Sequence, residues 1–163
     1  MRVIAVDIGG TKIDGYLVDI SKKPKVLNHF KVYTQAEDGK KAVLNNLNSV
    51  VDKINDGAQA ISICIPGLVD NNRPTLVPNI PCLNGVPIER QLKSYQLPIK
   101  LVNDGDAFTY AESLFGAGKK QEAVIGITVG TGVGGGLTVH QNMVPNAMEI
   151  GHTTVVKDGK KCV

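Results

Sequence analysis

A run of β-branched residues that ends on an acid and two glycines, then turns back on itself, constrains this chain more than any other feature. In Val3-Ile-Ala-Val-Asp-Ile-Gly-Gly-Thr-Lys-Ile-Asp-Gly-Tyr-Leu-Val-Asp19, Val3 to Val6 read as a buried strand with Asp7 at its end. Gly9-Gly10 then allows a turn too tight for side chains, and a second apolar run from Tyr16 to Ile20 returns. The hairpin tip gathers an acid, two glycines, a hydroxyl and an amine. Backbone N–H groups at such a turn suit phosphate oxygens, and the acid beside them suits Mg2+. An ordinary Gly-Gly hairpin is the competing reading of this stretch taken alone.

The rest of the chain follows a strand-and-helix alternation. Lys25 to Thr34 reads as a third strand. Asp38 to Asn55 reads as a helix: Val43, Leu44, Leu47, Val50, Val51 and Ile54 recur at helical spacing, and Asp38 is a candidate cap. Gln59 to Ile65 is a β-branched run suited to an inner strand. Leu68 to Pro87 holds four prolines and several Asn, and reads as a long shaped loop with at most short strand pieces. Leu76, Val77, Ile80 and Leu83 favour an ordered, functional loop. A short helix over Ile88–Tyr95 and a strand over Ile99–Val102 follow. Asp104 to Phe115 reads as a helix with Ala107, Tyr110, Ala111 and Leu114 on one face, ended by Gly116-Ala-Gly118. Glu122 to Val129, Gly130-Thr-Gly-Val-Gly-Gly-Gly136 and Leu137 to His140 then repeat the opening plan of strand, glycine turn, strand. The order is βββαβαβα, then ββ again: an α/β lobe over residues 1–117 and the beginning of a similar lobe over 118–163.

Composition excludes several classes. A net charge of +3 over 163 residues, with the basic residues scattered, gives no footprint for nucleic acid. The three cysteines, Cys64, Cys82 and Cys162, form no CxxC unit; so sparse and odd a count argues for a reducing compartment over a disulfide scaffold. No stretch is apolar for the roughly 18 residues of a membrane span, and the N-terminus lacks signal-peptide architecture. The expected location is cytoplasmic.

The chemistry concentrates in three further places. The second glycine turn, like the first, ends a strand, so the two could grip the phosphates of a nucleotide from both sides. GxxxxGK[ST] is absent, and Gly130–Gly136 leads into a strand where a dinucleotide fold needs a helix. Asn103-Asp104 stands where a strand meets a helix N-terminus. The helix dipole stabilises a carboxylate there, and capping is the simplest local reading. A carboxylate so placed can also accept a proton from a hydroxyl attacking phosphorus. Asp106, two residues on, reads as serving the first helical turn. Glu149-Ile-Gly-His152 can present two polar side chains at one bend. A surface turn is the competing reading, and His152 with Cys162 would make only half of a zinc ligand set.

In this order, the motifs resemble those of the ROK family (repressors, open reading frames and kinases), within the actin-like and hexokinase-like, ribonuclease H-like ATPase superfamily. Asp7-Ile-Gly-Gly-Thr-Lys12 and Gly130-Thr-Gly-Val-Gly-Gly-Gly136 look like its two phosphate motifs. Ile65-Pro-Gly67 and Asn79 look like its sugar-side loop, Asn103-Asp104 like its catalytic segment, and Glu149-Ile-Gly-His152 like its sugar-binding, zinc-linked motif. The resemblance implies an ATP- and Mg2+-dependent kinase acting on a hydroxyl of a hexose or N-acylhexosamine. Asp104 would be the general base. Asn103, Glu149 and His152 would bind sugar hydroxyls, with Gly67 and Asn79 lining the pocket. Asp7 would serve Mg2+; Gly9, Gly10, Thr11, Lys12, Gly130, Thr131, Gly132 and Gly134 would lie along the phosphates. Phosphoryl transfer depends on placement and charge neutralisation, which agrees with these residue types.

Departures from the family pattern shape the remaining expectations. Family kinases run to about twice this length, continuing with a cysteine cluster whose first member Cys162 matches. The chain is therefore expected to carry the sugar-side half of such a kinase, as a fragment or a natural truncation. Zn2+ would have only His152 and Cys162 here. Asn142 to Met148 is shorter than the family loop, Met148 replaces a customary Gly, and Asp106 stands where an Asn is common. Open strand edges in the second hairpin imply a homo-oligomer or association through those edges. The alternative function is a non-catalytic sugar-binding or regulatory module.

Overall fold

The computed structural model describes residues 1–130, 132–154 and 156–159. The chain packs as two units, Met1–Val102 and Asn103–Val163.

The first unit is built on a mixed sheet. Strands β1 (Arg2–Ile8), β2 (Lys12–Asp19) and β3 (Lys25–Tyr33) form an antiparallel meander. Helix α1 (Lys40–Ile54) crosses to β4 (Ala60–Ile65), which pairs parallel to β1. A small hairpin, β5 (Leu68–Asp70) with β6 (Arg73–Leu76), and the short helix α2 (Ile88–Gln91) precede β7 (Ile99–Asn103). The sheet order is β3-β2-β1-β4-β7. Strand period 2 sends Ile4, Val6 and Ile8 of β1, Ile13 and Leu17 of β2, and Ile61, Ile63 and Ile65 of β4 into one core. The i, i+4, i+7, i+8, i+11 spacing of Val43, Leu47, Val50, Val51 and Ile54 lays α1 over it. Each such side chain contributes roughly 1.5–3 kcal/mol by leaving water. Asp38 does not cap α1. It lies in a 3-10 turn (Ala36–Asp38), and Gly39 takes the cap position with a left-handed φ of 84°.

The second unit packs helix α3 (Asp104–Phe115) on β8 (Ala123–Val129) and β9 (Val133–Val139), with β10 (Asn142–Val144) beside β9. The packing thus divides the chain ahead of α3, whereas the sequence suggested 116–120. The buried face of α3 also differs from expectation. Gly105, Asp106, Thr109 and Ser113 are buried, while Tyr110 and Ala111 of the expected apolar face are exposed. The reason is close approach. A Cβ on Gly136 would stand 2.6 Å from the Gly105 carbonyl oxygen and 2.6 Å from Thr109 Oγ1, and one on Gly126 would collide with Thr109. Small residues on both elements let the helix settle onto the strands. The buried hydroxyls need no outside partner: Thr109 donates to the Gly105 carbonyl (2.9 Å) and Ser113 to that of Tyr110 (2.8 Å). Among the described residues, no helix is long and apolar enough to cross a membrane.

Candidate active site

In the first unit, the Gly9–Thr11 turn is held by a residue the sequence did not single out. Thr34, fully buried, donates its hydroxyl to the Gly9 carbonyl (2.6 Å) and its N–H to the Thr11 carbonyl (2.9 Å). Gly9 closes the turn by donating to the Lys12 carbonyl (2.8 Å). Asp7 projects exposed at the end of β1, directly across from Asp14 on β2 and Cys64 on β4. Lys12 lines a surface depression with Lys31, Val32 and Tyr33.

The Leu68–Pro87 segment is ordered as expected, with Val77, Ile80 and Leu83 buried. It brings Asn79 to the glycine turn: a Cβ on Gly10 would lie 3.2 Å from Asn79 Cβ. Gly67 sits at φ 145°, and a side chain there would strike the Leu76 carbonyl, so its place is set by backbone crowding in the β5–β6 hairpin. Asn72 fixes that hairpin to the sheet by pairing with β7 as a strand would. Its Oδ1 accepts from Leu101 N (2.7 Å) and its Nδ2 donates to the Ile99 carbonyl (3.1 Å).

In the second unit, Asn103 caps α3, its Oδ1 accepting from Asp106 N (2.9 Å). Asp104 is the first helical residue and is exposed, with Oδ1 accepting from Gly105 N (2.8 Å). Partial burial pushes its carboxyl above the usual range, while the N–H groups of Gly105 and of Asp104 itself oppose the shift. Glu149 and His152 share one bend, a 3-10 turn over Ile150–His152. Their side chains stand 3.8 Å apart and are half exposed. The segment leading to the bend is tied to α3 by Asp106, which the sequence assigned to the first helical turn. It is instead buried, and its Oδ2 accepts from Asn146 N (2.9 Å).

The glycine motif 130–136 divides in two. Among the described residues, none lies within 4 Å of a Cβ added to Gly130 or Gly132, and Gly130 N donates to the Gly132 carbonyl (2.9 Å). Gly136 belongs to the packing against α3. Gly134 lies on β9, where a Cβ would stand 2.9 Å from Thr128 Oγ1. Among the described residues, Gly130 and Gly132 thus leave space beside their backbone, whereas Gly136 is packed against α3. Thr131 and Cys162 lie outside the described residues. Among the described residues, no group of three or more His, Cys, Asp or Glu converges as a metal cage. The exposed Asp7 carboxylate at the end of β1 suits Mg2+, which commonly takes one or two carboxylates together with substrate phosphates.

A protein-family model described as the ROK family matches residues 3–163. The chain belongs to the ROK family. It is 32% identical over 171 residues to the glucokinase of Thermotoga maritima, covering 99% of this chain and 53% of that protein. It is 30% identical over 169 residues to an N-acetylmannosamine kinase of Haemophilus influenzae, covering 99% and 55%. The crystal structure of a ROK family glucokinase from Streptomyces griseus in complex with glucose and AMPPNP superposes with a TM-score of 0.83 at 34% identity, covering 98% of this chain and 52% of that one. This ROK chain therefore has the α/β, actin-like ATPase fold of the sugar kinases and spans about half the length of the curated relatives it matches.

Proposed function

We propose that this chain takes part in ATP-dependent phosphorylation of a hydroxyl of a hexose or N-acylhexosamine, with Asp104 as general base. In this reading the Asp104 carboxylate takes the proton of the attacking hydroxyl while that oxygen bonds to the γ-phosphorus and ADP leaves. Asn103, Glu149 and His152 of the second unit would bind sugar hydroxyls, and Gly67 and Asn79 of the first unit are read as sugar-side residues. Gly9, Gly10, Thr11 and Lys12 in the first unit, and Gly130, Thr131, Gly132 and Gly134 in the second, bind phosphate oxygens. Asp7 would hold Mg2+, which when bound neutralises phosphate charge.

The observation that carries the reading is the second unit's own arrangement. An exposed carboxylate with a raised proton affinity opens α3. The same helix is hydrogen-bonded, through Asp106, to Asn146 in the segment leading to the bend that carries Glu149 and His152. A base needs a pKa nearer the working pH than an ordinary carboxylate has, and a polyol needs groups that donate and accept. The names of the relatives, and the glucose and AMPPNP of the Streptomyces griseus complex, support the substrate class.

The test is coupled ADP release by the full-length gene product against a panel of hexoses and N-acylhexosamines. Asp104→Asn should lower kcat by about 10²–10⁴-fold with the fold intact by circular dichroism, the usual contribution of a positioned base. Sugar binding without turnover in the wild type would instead favour the regulatory module. Unchanged turnover in the Asn variant would remove Asp104 from the chemistry.

A further inference from the structure

Asp106 is 2% exposed, although an acid in the first turn of a helix ordinarily faces water. Its backbone N–H is committed to Asn103 Oδ1 (2.9 Å) and its Oδ2 to Asn146 N (2.9 Å), on the strand-to-bend connection three residues before Glu149. Its backbone is clamped as well, since a Cβ on Gly136 would lie 2.9 Å from Asp106 Cα. Asn146 holds a left-handed φ of 54°. The connection therefore presents the Asn146 N–H to Asp106 from a left-handed backbone conformation.

The other oxygen explains what this contact is for. Among the described residues, Asp106 Oδ1 is the buried side-chain oxygen with no hydrogen-bond partner. A carboxylate that gives up its hydration on one oxygen and makes one bond with the other is a poor stabiliser. What it does supply is geometry: one acceptor, fixed on a helix, aimed at one backbone donor in the segment leading to the sugar-side bend.

We propose that Asp106 is a positioning residue that latches the Glu149–His152 bend to the helix presenting Asp104. Its consequence for catalysis rests on the kinase reading above; the latch itself does not. Glu149 and His152 would bind the sugar alike in the ground and transition states, so loosening their bend should weaken sugar binding more than it slows chemistry. A displacement of about 1 Å in positioning groups can cost up to roughly 10²-fold.

Two measurements test this on the full-length gene product. Steady-state kinetics should show hexose KM raised about tenfold or more in Asp106→Ala, with kcat changed less than about threefold. Asp106→Asn keeps an oxygen for Asn146 N and should hold KM within about threefold of wild type. Amide hydrogen exchange followed by NMR should show Asn146 N–H protected in the wild type and exchanging at least about tenfold faster in the Ala variant. An unprotected Asn146 amide in the wild type would overturn the latch with or without catalysis. So would a folded Ala variant with unchanged KM, or a folded Asn variant whose KM rises tenfold. If the Ala variant does not fold, the wild-type exchange rate and the Asn variant decide. A wild type with a protected Asn146 amide but no hexose-dependent ADP release would support the latch and sink the kinase reading alone.

Discussion

Thr34 Oγ1 lies 2.6 Å from the carbonyl oxygen of Gly9, and this bond, from the residue just past β3, holds the first glycine turn from below. Thr34 is fully buried, and its N–H holds the Thr11 carbonyl at the other side of the same turn (2.9 Å). Thr34→Val keeps the shape and the N–H but leaves the Gly9 carbonyl without its hydroxyl. The bond is only partly buried, so the expected cost is about 0.5–1.5 kcal/mol in urea denaturation, the net worth of one hydrogen bond. Thr34→Ser should recover most of it. If the turn binds phosphate as proposed, the Val variant should also raise KM for ATP.

The glycines of the 130–136 motif should separate cleanly under substitution. A Cβ at Gly136 would stand 2.6 Å from Gly105 O and Thr109 Oγ1, so Gly136→Ala forces the helix off the strand. Overpacking of this kind typically costs about 1–3 kcal/mol, read as a lowered urea midpoint. Gly130→Ala meets nothing within 4 Å among the described residues and should stay within about 0.5 kcal/mol of wild type. Under the kinase reading the Gly130 variant should nonetheless impair ATP use, because a methyl would then face the phosphates. A stable, fully active Gly130 variant would take that bend out of phosphate binding.

The strands, α1 and the ordered Leu68–Pro87 segment were legible in the sequence because apolar burial set their patterns. Val43, Leu47, Val50 and Ile54 can be buried only on one helical face, and Ile61, Ile63 and Ile65 only on one side of a strand. Helix α3 resisted the same logic. Its inner face is Gly105, Asp106, Thr109 and Ser113, chosen for size against glycine-bearing strands, with hydroxyls satisfied by the helix's own carbonyls. Hydrophobic periodicity cannot detect a face selected for smallness. Asp38 failed as a cap because Gly39, free to adopt φ 84°, intervenes before the helix starts. The motif residues of the site were visible as types in order, whereas their supports were not. Thr34 and Asp106 act on Gly9 and Asn146, which stand 25 and 40 residues away in sequence, and no local pattern encodes such a pairing.

The buried Asp106 should also leave a signature in stability against pH. Burial pushes its carboxyl above the ordinary range; the Asn146 N–H opposes that shift, and the charge of Asp104 adds to it. In the unfolded chain the same group titrates near 4. As pH rises past that value the unfolded state loses its proton first, while the folded state still holds one. The folded state then binds more protons, so this group's contribution to stability falls with rising pH and levels off only above the folded-state pKa. Asp106→Asn cannot titrate. Its stability relative to wild type should therefore increase from acid pH through the carboxylate range and then plateau, when urea midpoints of the two proteins are compared at each pH. Carboxylates that do not interact with Asp106 cancel in that difference, while Asp104, whose charge couples to it, contributes alongside it. A flat difference between Asn variant and wild type across the range would mean that Asp106 titrates alike in both states, and would remove the shift attributed to its burial.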